Sequence, residues 1–281
     1  MSDLPASAAN FCYRHPGRQS FILCQRCGRT ICAECQTQAA VGVICPECMK
    51  LQRKNAPRIK PAVLTRLTGS GQPTVTYALI AITVFVFILQ WIPGLGITQR
   101  FAYAPALTLI EPWRMLTSVF LHSQGGLPFH VLLNMYVLWI FGPMLEGMLG
   151  RGRFLALYLI SGFAGSIGVL VLAVPYTYVV GASGALFGLM GAFLVIQRGL
   201  GGNSKQLLVL LGINVVVSFI PGIAWQAHFG GIIGGALIGF VLMRTRRPAQ
   251  KGLQIVLIAG VAALLVVIGV LKIVSLLAPI S

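Results

Sequence analysis

The sequence predicts an all-α, polytopic membrane bundle preceded by a small cysteine-rich domain. Three observations predict it. The 281 residues are 57% hydrophobic and only 9% charged, far below the roughly 25% charge of a water-soluble domain. The apolar residues gather into seven long runs, about 75–92, 129–149, 154–174, 182–197, 206–220, 225–243 and 253–277. All seven cysteines precede residue 50. Such a composition excludes soluble globular, coiled-coil and disordered classes. The absence of a 20–50-residue period excludes a solenoid.

Most of the runs reach the roughly 20 residues needed to cross about 30 Å of hydrocarbon. Those at 182–197 and 206–220 are shorter, a length that neighbouring helices can shield. Turns (Pro93-Gly94, Pro221-Gly222) and basic patches (Arg151 with Arg153, Arg244 with Arg246 and Arg247) separate the runs. The first run starts too late, and is followed by too many others, to be a signal peptide.

The balance of 21 basic to 5 acidic residues gives a net charge of +16. With the N-terminus inside, ten basic residues precede the first run and eight more fall in inside loops. Only Arg100, Arg114 and Lys272 fall outside. The positive-inside rule therefore places the N-terminus in the cytoplasm and the C-terminus outside, with a bacterial plasma membrane expected. It also accounts for the net charge, since basic residues face anionic lipid head groups. A nucleic-acid partner is not expected, because no basic face carries base-reading or stacking groups. The chain is thus expected to divide into a disordered tail (1–10), a metal-binding domain (11–50), a basic linker (51–73), a six-helix core (74–243) and a seventh helix (252–278).

The cysteines fall into ligand pairs: Cys12-x2-His15, Cys24-x2-Cys27, Cys32-x2-Cys35 and Cys45-x2-Cys48. A two-residue gap lets one turn present both side chains to one ion. Four thiolate or imidazole ligands complete a tetrahedral zinc, so eight suit two structural zinc ions. A disulfide framework is the rival, but the positive-inside count puts this segment in a reducing compartment. With few large apolar residues, the segment could hardly fold without metal. The pattern resembles the B-box and RING class. That resemblance implies that pairs one and three share one ion and pairs two and four the other; sequential pairing is the alternative. The final pair departs from B-boxes, which usually end in histidines. A finger of this kind is expected to take a cytoplasmic protein partner.

Polar residues inside apolar runs are costly and mark function. The second run opens with His130 and Asn134, the fourth with Gly181-Ala182-Ser183-Gly184, the sixth with His228. These three runs all cross from outside to inside, so the four side chains share one depth beneath the outer surface. Their types suit acyl transfer: a serine nucleophile, a histidine base and donors for an oxyanion. The donors would be His130, Asn134 and the Ser183 N–H. His130 and Asn134 are four apart and share a helix face. No carboxylate stands near enough in the pattern to orient the base, so a dyad is expected. Each group alone has a plainer reading, as a back-bonded serine, a small-residue packing motif or a buried histidine. Their co-location carries the functional one.

At these residues the chain resembles the rhomboid family of intramembrane serine proteases, over roughly residues 75–243. The matching features are Glu111-Pro112-Trp113-Arg114, His130-x3-Asn134, Gly181-Ala182-Ser183-Gly184 and His228-x2-Gly231-x3-Gly235. The resemblance implies a rhomboid-like six-helix core plus a seventh C-terminal helix. It implies Ser183 as nucleophile and His228 as general base, needing no cofactor for catalysis. His130, Asn134 and the Ser183 amide would line the oxyanion hole. Trp113 and Arg114 would hold the large first loop, and Gly231 and Gly235 would let helices approach closely. Substrates would be single-span or polytopic membrane proteins, met in the lipid bilayer and cut near their outer end at small residues. The rival class is a catalytically silent rhomboid-like protein that binds membrane clients.

Two departures stand out. Phe187 occupies the position four after the nucleophile, where a tyrosine often stacks on the histidine. The segment between His122 and His130 is longer than usual, and Pro128 is expected to start the second helix. His122 is read as loop structure and Glu146 as a cap or a partner of Arg151 or Arg153. Asn214 is assigned no partner.

Overall fold

A computed structural model describes residues 10–39, 42–55, 73–125 and 128–277. The chain divides into two compact units, residues 1–66 and 67–281. The expected tail lies outside the described residues except for Asn10. So does the expected linker, except for residues 51–55, which continue a helix, and Pro73.

In the first unit two antiparallel hairpins precede a helix. Strand β1 (Phe11–Cys12) pairs with β2 (His15–Gln19), and β3 (Thr37–Gln38) pairs with β4 (Val43–Ile44). Helix α1 (Pro46–Asn55) follows. The buried centre holds six cysteines and only two large aliphatic residues, Ile31 and Ile44. Burying two such side chains stabilises by roughly 1.5–3 kcal/mol each. Ordering a backbone costs about 1–2 kcal/mol per residue.

The second unit is helical. Its elements are α2 (Thr74–Gln90), the short α3 (Ile97–Phe101) and α4 (Arg114–Thr117), then α5 (Phe129–Leu149), α6 (Arg151–Leu172), α7 (Ser183–Gly199), α8 (Lys205–Val217), α9 (Trp225–Arg244) and α10 (Lys251–Leu277). Among the described residues, the segments 129–149, 151–172, 225–244 and 248–277 are long and apolar enough to cross a membrane; α2, α7 and α8 are shorter apolar helices. These are the seven runs of the sequence. Large apolar side chains such as Phe85, Val216 and Leu271 point outward, which suits a lipid surround and not water.

Helix α7 is the most enclosed, with Ala185, Leu189 and Ala192 wholly buried. Its 17 residues span roughly 25 Å at 1.5 Å per residue, short of a bilayer core. Neighbouring helices shield it on two sides. Between helices in lipid no hydrophobic drive exists, so contact rests on backbone-to-backbone packing over small residues. A Cβ on Gly231 would stand 2.0 Å from the Gly184 carbonyl oxygen, and one on Gly235 2.0 Å from that of Gly188. Helix α6 meets α9 the same way: a Cβ on Gly168 would stand 2.3 Å from Gln226 O, and one on Gly230 2.3 Å from Ala164 O.

Two polar groups buried at the edges of this bundle, Glu146 and Gln254, are tied to neighbouring helices. Glu146, near the end of α5, accepts hydrogen bonds from Val75 N (2.9 Å), Thr76 N (2.8 Å) and Thr76 Oγ1 (2.8 Å). It caps the start of α2, a neighbouring helix, where free N–H groups favour an anion. Arg153 turns instead to Gln254 Oε1 of α10, at 2.6 Å. Gln254 also donates to Thr245 O and Oγ1, tying the seventh helix to the end of α9.

The segment from Trp91 to Gly125 is held by polar contacts within itself and to the loop before α7. Arg114, buried beside the Glu111 carboxylate, donates from Nη1 to Gln99 O (2.7 Å) and Ala102 O (2.8 Å). Tyr103 exchanges backbone hydrogen bonds with Val179 (2.8 and 3.1 Å), and Gly181 N donates to Ser118 O at 3.0 Å. The loop entering α7 is thereby tied to the first loop. Trp113 stays half exposed.

Substituting Gly235→Ala should force α7 and α9 apart. Overpacking of this kind costs about 1–3 kcal/mol and should lower the melting temperature in detergent. Gly260→Ala in α10, where nothing lies within 4 Å of the added Cβ, is the control and should melt like wild type. Equal melting of the two variants would contradict the packing described.

Candidate active site and metal centres

Three helix starts meet around Ser183. Gly181 precedes it with φ +130°, a conformation that suits glycine. A Cβ at Gly181 would also strike the His130 ring, 2.9 Å from Cε1. Ser183 is the first residue of α7, and no side chain caps that end. The first intrahelical hydrogen bond runs from Leu186 N to Ala182 O, so the Ser183 and Gly184 amides have no intrahelical acceptor. Residue His228 lies in the first turn of α9, 7% exposed. Its Nε2 stands 2.9 Å from Ser183 Oγ. The glycine contact between α7 and α9 sets that distance.

His130 and Asn134, in the first two turns of α5, border the same place. His130 Nδ1 accepts from Ser123 N at 3.2 Å, which leaves its Nε2 edge toward Gly181. Asn134 is buried and spends one amide proton on His130 O at 2.7 Å. Its second amide proton remains available. His122, fully buried, sets its ring edge-to-face against His130 at 5.0 Å, and its backbone N–H and C=O bond the Gln90 side chain. Phe187 stacks on the His228 ring at 4.1 Å and 12°.

Two contacts were not legible in the sequence. Ser218, the residue closing α8, is 1% exposed, and its Oγ lies 2.6 Å from His228 Nδ1. The same Oγ donates to Asn214 O at 2.7 Å, so Asn214, left without a partner above, anchors Ser218 through its backbone. Beside Ser183 sits a cavity of about 30 Å³ lined by small groups, among them Gly162, Gly165, Ser166, Gly184 and Ala227. That is room for a group of about one water's size.

In the first unit the eight expected ligands form two clusters, Cys12, His15, Cys32 and Cys35 in one and Cys24, Cys27, Cys45 and Cys48 in the other. Pairs one and three come together, as do two and four. This is the crossed arrangement and not the sequential one. Metal–sulfur bonds of about 2.3 Å and metal–nitrogen bonds of about 2.0–2.1 Å give tetrahedral edges near 3.8 Å for S···S and roughly 3.6 Å for S···N. Cys27 Sγ and Cys45 Sγ are 3.8 Å apart. His15 Nδ1 lies 3.9, 3.3 and 3.4 Å from the sulfurs of Cys12, Cys32 and Cys35. Both clusters fit a tetrahedral ion.

The thiols of the two clusters differ in charge: burial pushes Cys35 up to about 11 and Cys48 up to about 12, whereas Cys12 and Cys24 are brought down. Burial pushes the Cys12 thiol up, but N–H groups of Cys32, Arg14 and His15 outweigh it and hold it at about 6. Cys24 is likewise raised by burial and brought down to about 6 by N–H groups of Cys45, Arg26 and Cys27. Thiolate is the form that binds metal. Arg29 donates to Cys27 Sγ at 3.4 Å, stacks on Tyr13 and pairs with Glu47.

The second unit thus defines a polytopic helical membrane protein whose serine, histidines and asparagine share one end of the bundle. Comparison with known sequences narrows this. The Rhomboid domain profile matches residues 110–245. The chain is 41% identical over 143 residues to the putative rhomboid protease YdcA of Bacillus subtilis, covering 48% of this chain and 70% of that protein. It is 37% identical over 182 residues to the rhomboid protease GluP of the same organism, covering 59% of this chain but 34% of GluP. It is 39% identical over 140 residues to RHOMBOID-like protein 6, mitochondrial, of Arabidopsis thaliana, covering 47% and 44%. The chain belongs to the rhomboid family and is an integral membrane protein. It spans about a third of GluP and under half of the Arabidopsis protein.

Metal analysis of the purified full-length protein should return about two ions per chain. A strong chelator should release them and unfold the first unit. Fewer than one ion per chain would contradict the tetrahedral fit.

Proposed function

We propose that the protein is an intramembrane serine endopeptidase that hydrolyses a peptide bond in membrane-protein substrates. The observation that carries the reading is the 2.9 Å contact between Ser183 Oγ and His228 Nε2. Ser183 Oγ attacks the scissile carbonyl while His228 Nε2 takes its proton. The tetrahedral oxyanion is held by the Ser183 amide, the free Asn134 Nδ2–H and His130. Collapse breaks the C–N bond, His228 delivers the proton to the leaving amine, and an acyl-serine remains. Water then attacks the ester, His228 taking its proton and returning it to Ser183.

The small cavity beside Ser183 favours substrates with small residues at the cut. Lys and Arg placement supports an N-terminus in the cytoplasm and the site near the outer face. The ion suited to the two tetrahedral clusters is zinc, in a structural role. None of the steps above calls for a metal, so the ion's role in this reading is the fold of the first unit. A cytoplasmic partner for that domain belongs to the same reading.

Ser183→Ala and His228→Ala should each abolish cleavage of a tagged single-span substrate in detergent, with melting temperatures near wild type. Asn134→Ala should slow turnover by roughly 10- to 1000-fold, the cost of losing one oxyanion donor. Wild-type-like cleavage by either dyad variant would overturn the mechanism.

A further inference from the structure

We infer that Ser218 is a positioning residue that sets the His228 tautomer and ties the base to helix α8. The inference rests on the reading of Ser183 and His228 as nucleophile and base. It follows from counting protons. A serine hydroxyl has one proton and two lone pairs. Ser218 Oγ stands 2.7 Å from Asn214 O, which can only accept, and 2.6 Å from His228 Nδ1. Both contacts are hydrogen bonds at once in one way only. Ser218 gives its proton to the carbonyl, and Nδ1–H donates to Ser218 Oγ. His228 then carries its proton on Nδ1 and presents a bare Nε2 to Ser183.

The opposite tautomer would place a proton on Nε2, where it cannot take one from Ser183. A neutral imidazole with no partner at Nδ1 has no such bias. In serine proteases that use a third residue, a carboxylate does this work, and the wrong tautomer is costly. Here no acid is available: Glu146 caps α2 and Glu111 pairs with Arg114. A back-bonded hydroxyl, buried to 1% exposure, supplies the acceptor without a charge. Serine in a membrane helix commonly bonds the carbonyl four residues back; in this chain that bond directs the hydroxyl proton away from the base.

The placement has a mechanical consequence. Among the residues of α8, only Leu207 and Leu211 are buried. Ser218 closes this loosely packed helix, whereas His228 belongs to tightly packed α9. Outward movement of the end of α8 would break the 2.6 Å contact and release the tautomer while leaving Ser183 and His228 in place. The competence of the base therefore depends on α8 being seated.

The test compares S218A, which removes the oxygen, with S218T, which keeps it, in the full-length protein in detergent. With a fluorogenic transmembrane substrate, S218A should lose about 10- to 100-fold in kcat, up to the lower end of the roughly 100- to 10,000-fold that a positioned general base supplies, and change KM less than twofold. S218T should recover to within about threefold of wild type. Nitrogen-15 histidine spectra should show His228 protonated at Nδ1 in wild type and S218T, and at Nε2 or in a mixture in S218A. This readout needs no turnover. If S218A yields no folded protein, the spectrum of S218C, which keeps the volume and weakens the acceptor, takes its place. Full kcat in S218A, an unchanged tautomer in S218A or S218C, or equal losses in S218A and S218T would each overturn the inference. The dyad reading falls separately, if Ser183→Ala still cleaves.

Discussion

Helices α7 and α9 touch backbone to backbone, and the rest of the second unit is arranged around that contact. Carbonyl oxygens of Gly184 and Gly188 occupy the space where side chains of residues 231 and 235 would stand. In lipid, apolar burial gives helices little reason to associate with one another, so close packing over glycine is what holds two spans together. It also brings two helix starts so near that Ser183 and His228 share a hydrogen bond. Phe187, one turn into α7, then falls on the imidazole face. A methyl group at either glycine would separate all three.

Around this contact, several expensive polar groups are given fixed partners, while the Tyr158 and Ser161 hydroxyls and the His122 ring nitrogens are buried without one among the described residues. Glu146 takes the free amides at the start of α2. Arg114 takes carbonyls of the first loop, and Gln254 bridges Arg153 and the end of α9. The longest of these reaches, between Arg153 and Gln254, spans 101 residues of sequence. The amides left without an intrahelical acceptor at the start of α7 are those an oxyanion would need. The first unit follows a different rule. Its core is mostly sulfur, so cohesion comes from the two ligand clusters and not from apolar burial.

Much of this was legible in the sequence because the bilayer constrains the alternatives. Seven apolar runs can only be helices, and alternation of direction alone set Ser183, His228, His130 and Asn134 at one depth. Ligand spacing marked all eight side chains of the two clusters. Pairing was not legible from spacing, since crossed and sequential schemes use the same gaps; the fold, which brings pairs one and three together and pairs two and four together, decides it. The role of Glu146 was half legible, because a cap was expected but not on a different helix. Ser218 was invisible. A lone serine at the end of an apolar run reads as back-bonded, and here it is; its second contact depends on how α8 lies beside α9. The motif marked Trp113 and Arg114 together as holding the first loop; the Arg114 side chain bonds Gln99 O and Ala102 O, and Trp113 is half exposed.

The central claim is that the α7–α9 contact turns one half-buried serine into a nucleophile. A fluorophosphonate probe on the detergent-solubilised protein tests it most directly, with the adduct located by peptide mass spectrometry. The account expects one adduct, on Ser183, and none when His228 is replaced by alanine. Labelling of another serine, or of Ser183 at an undiminished rate without His228, would contradict it.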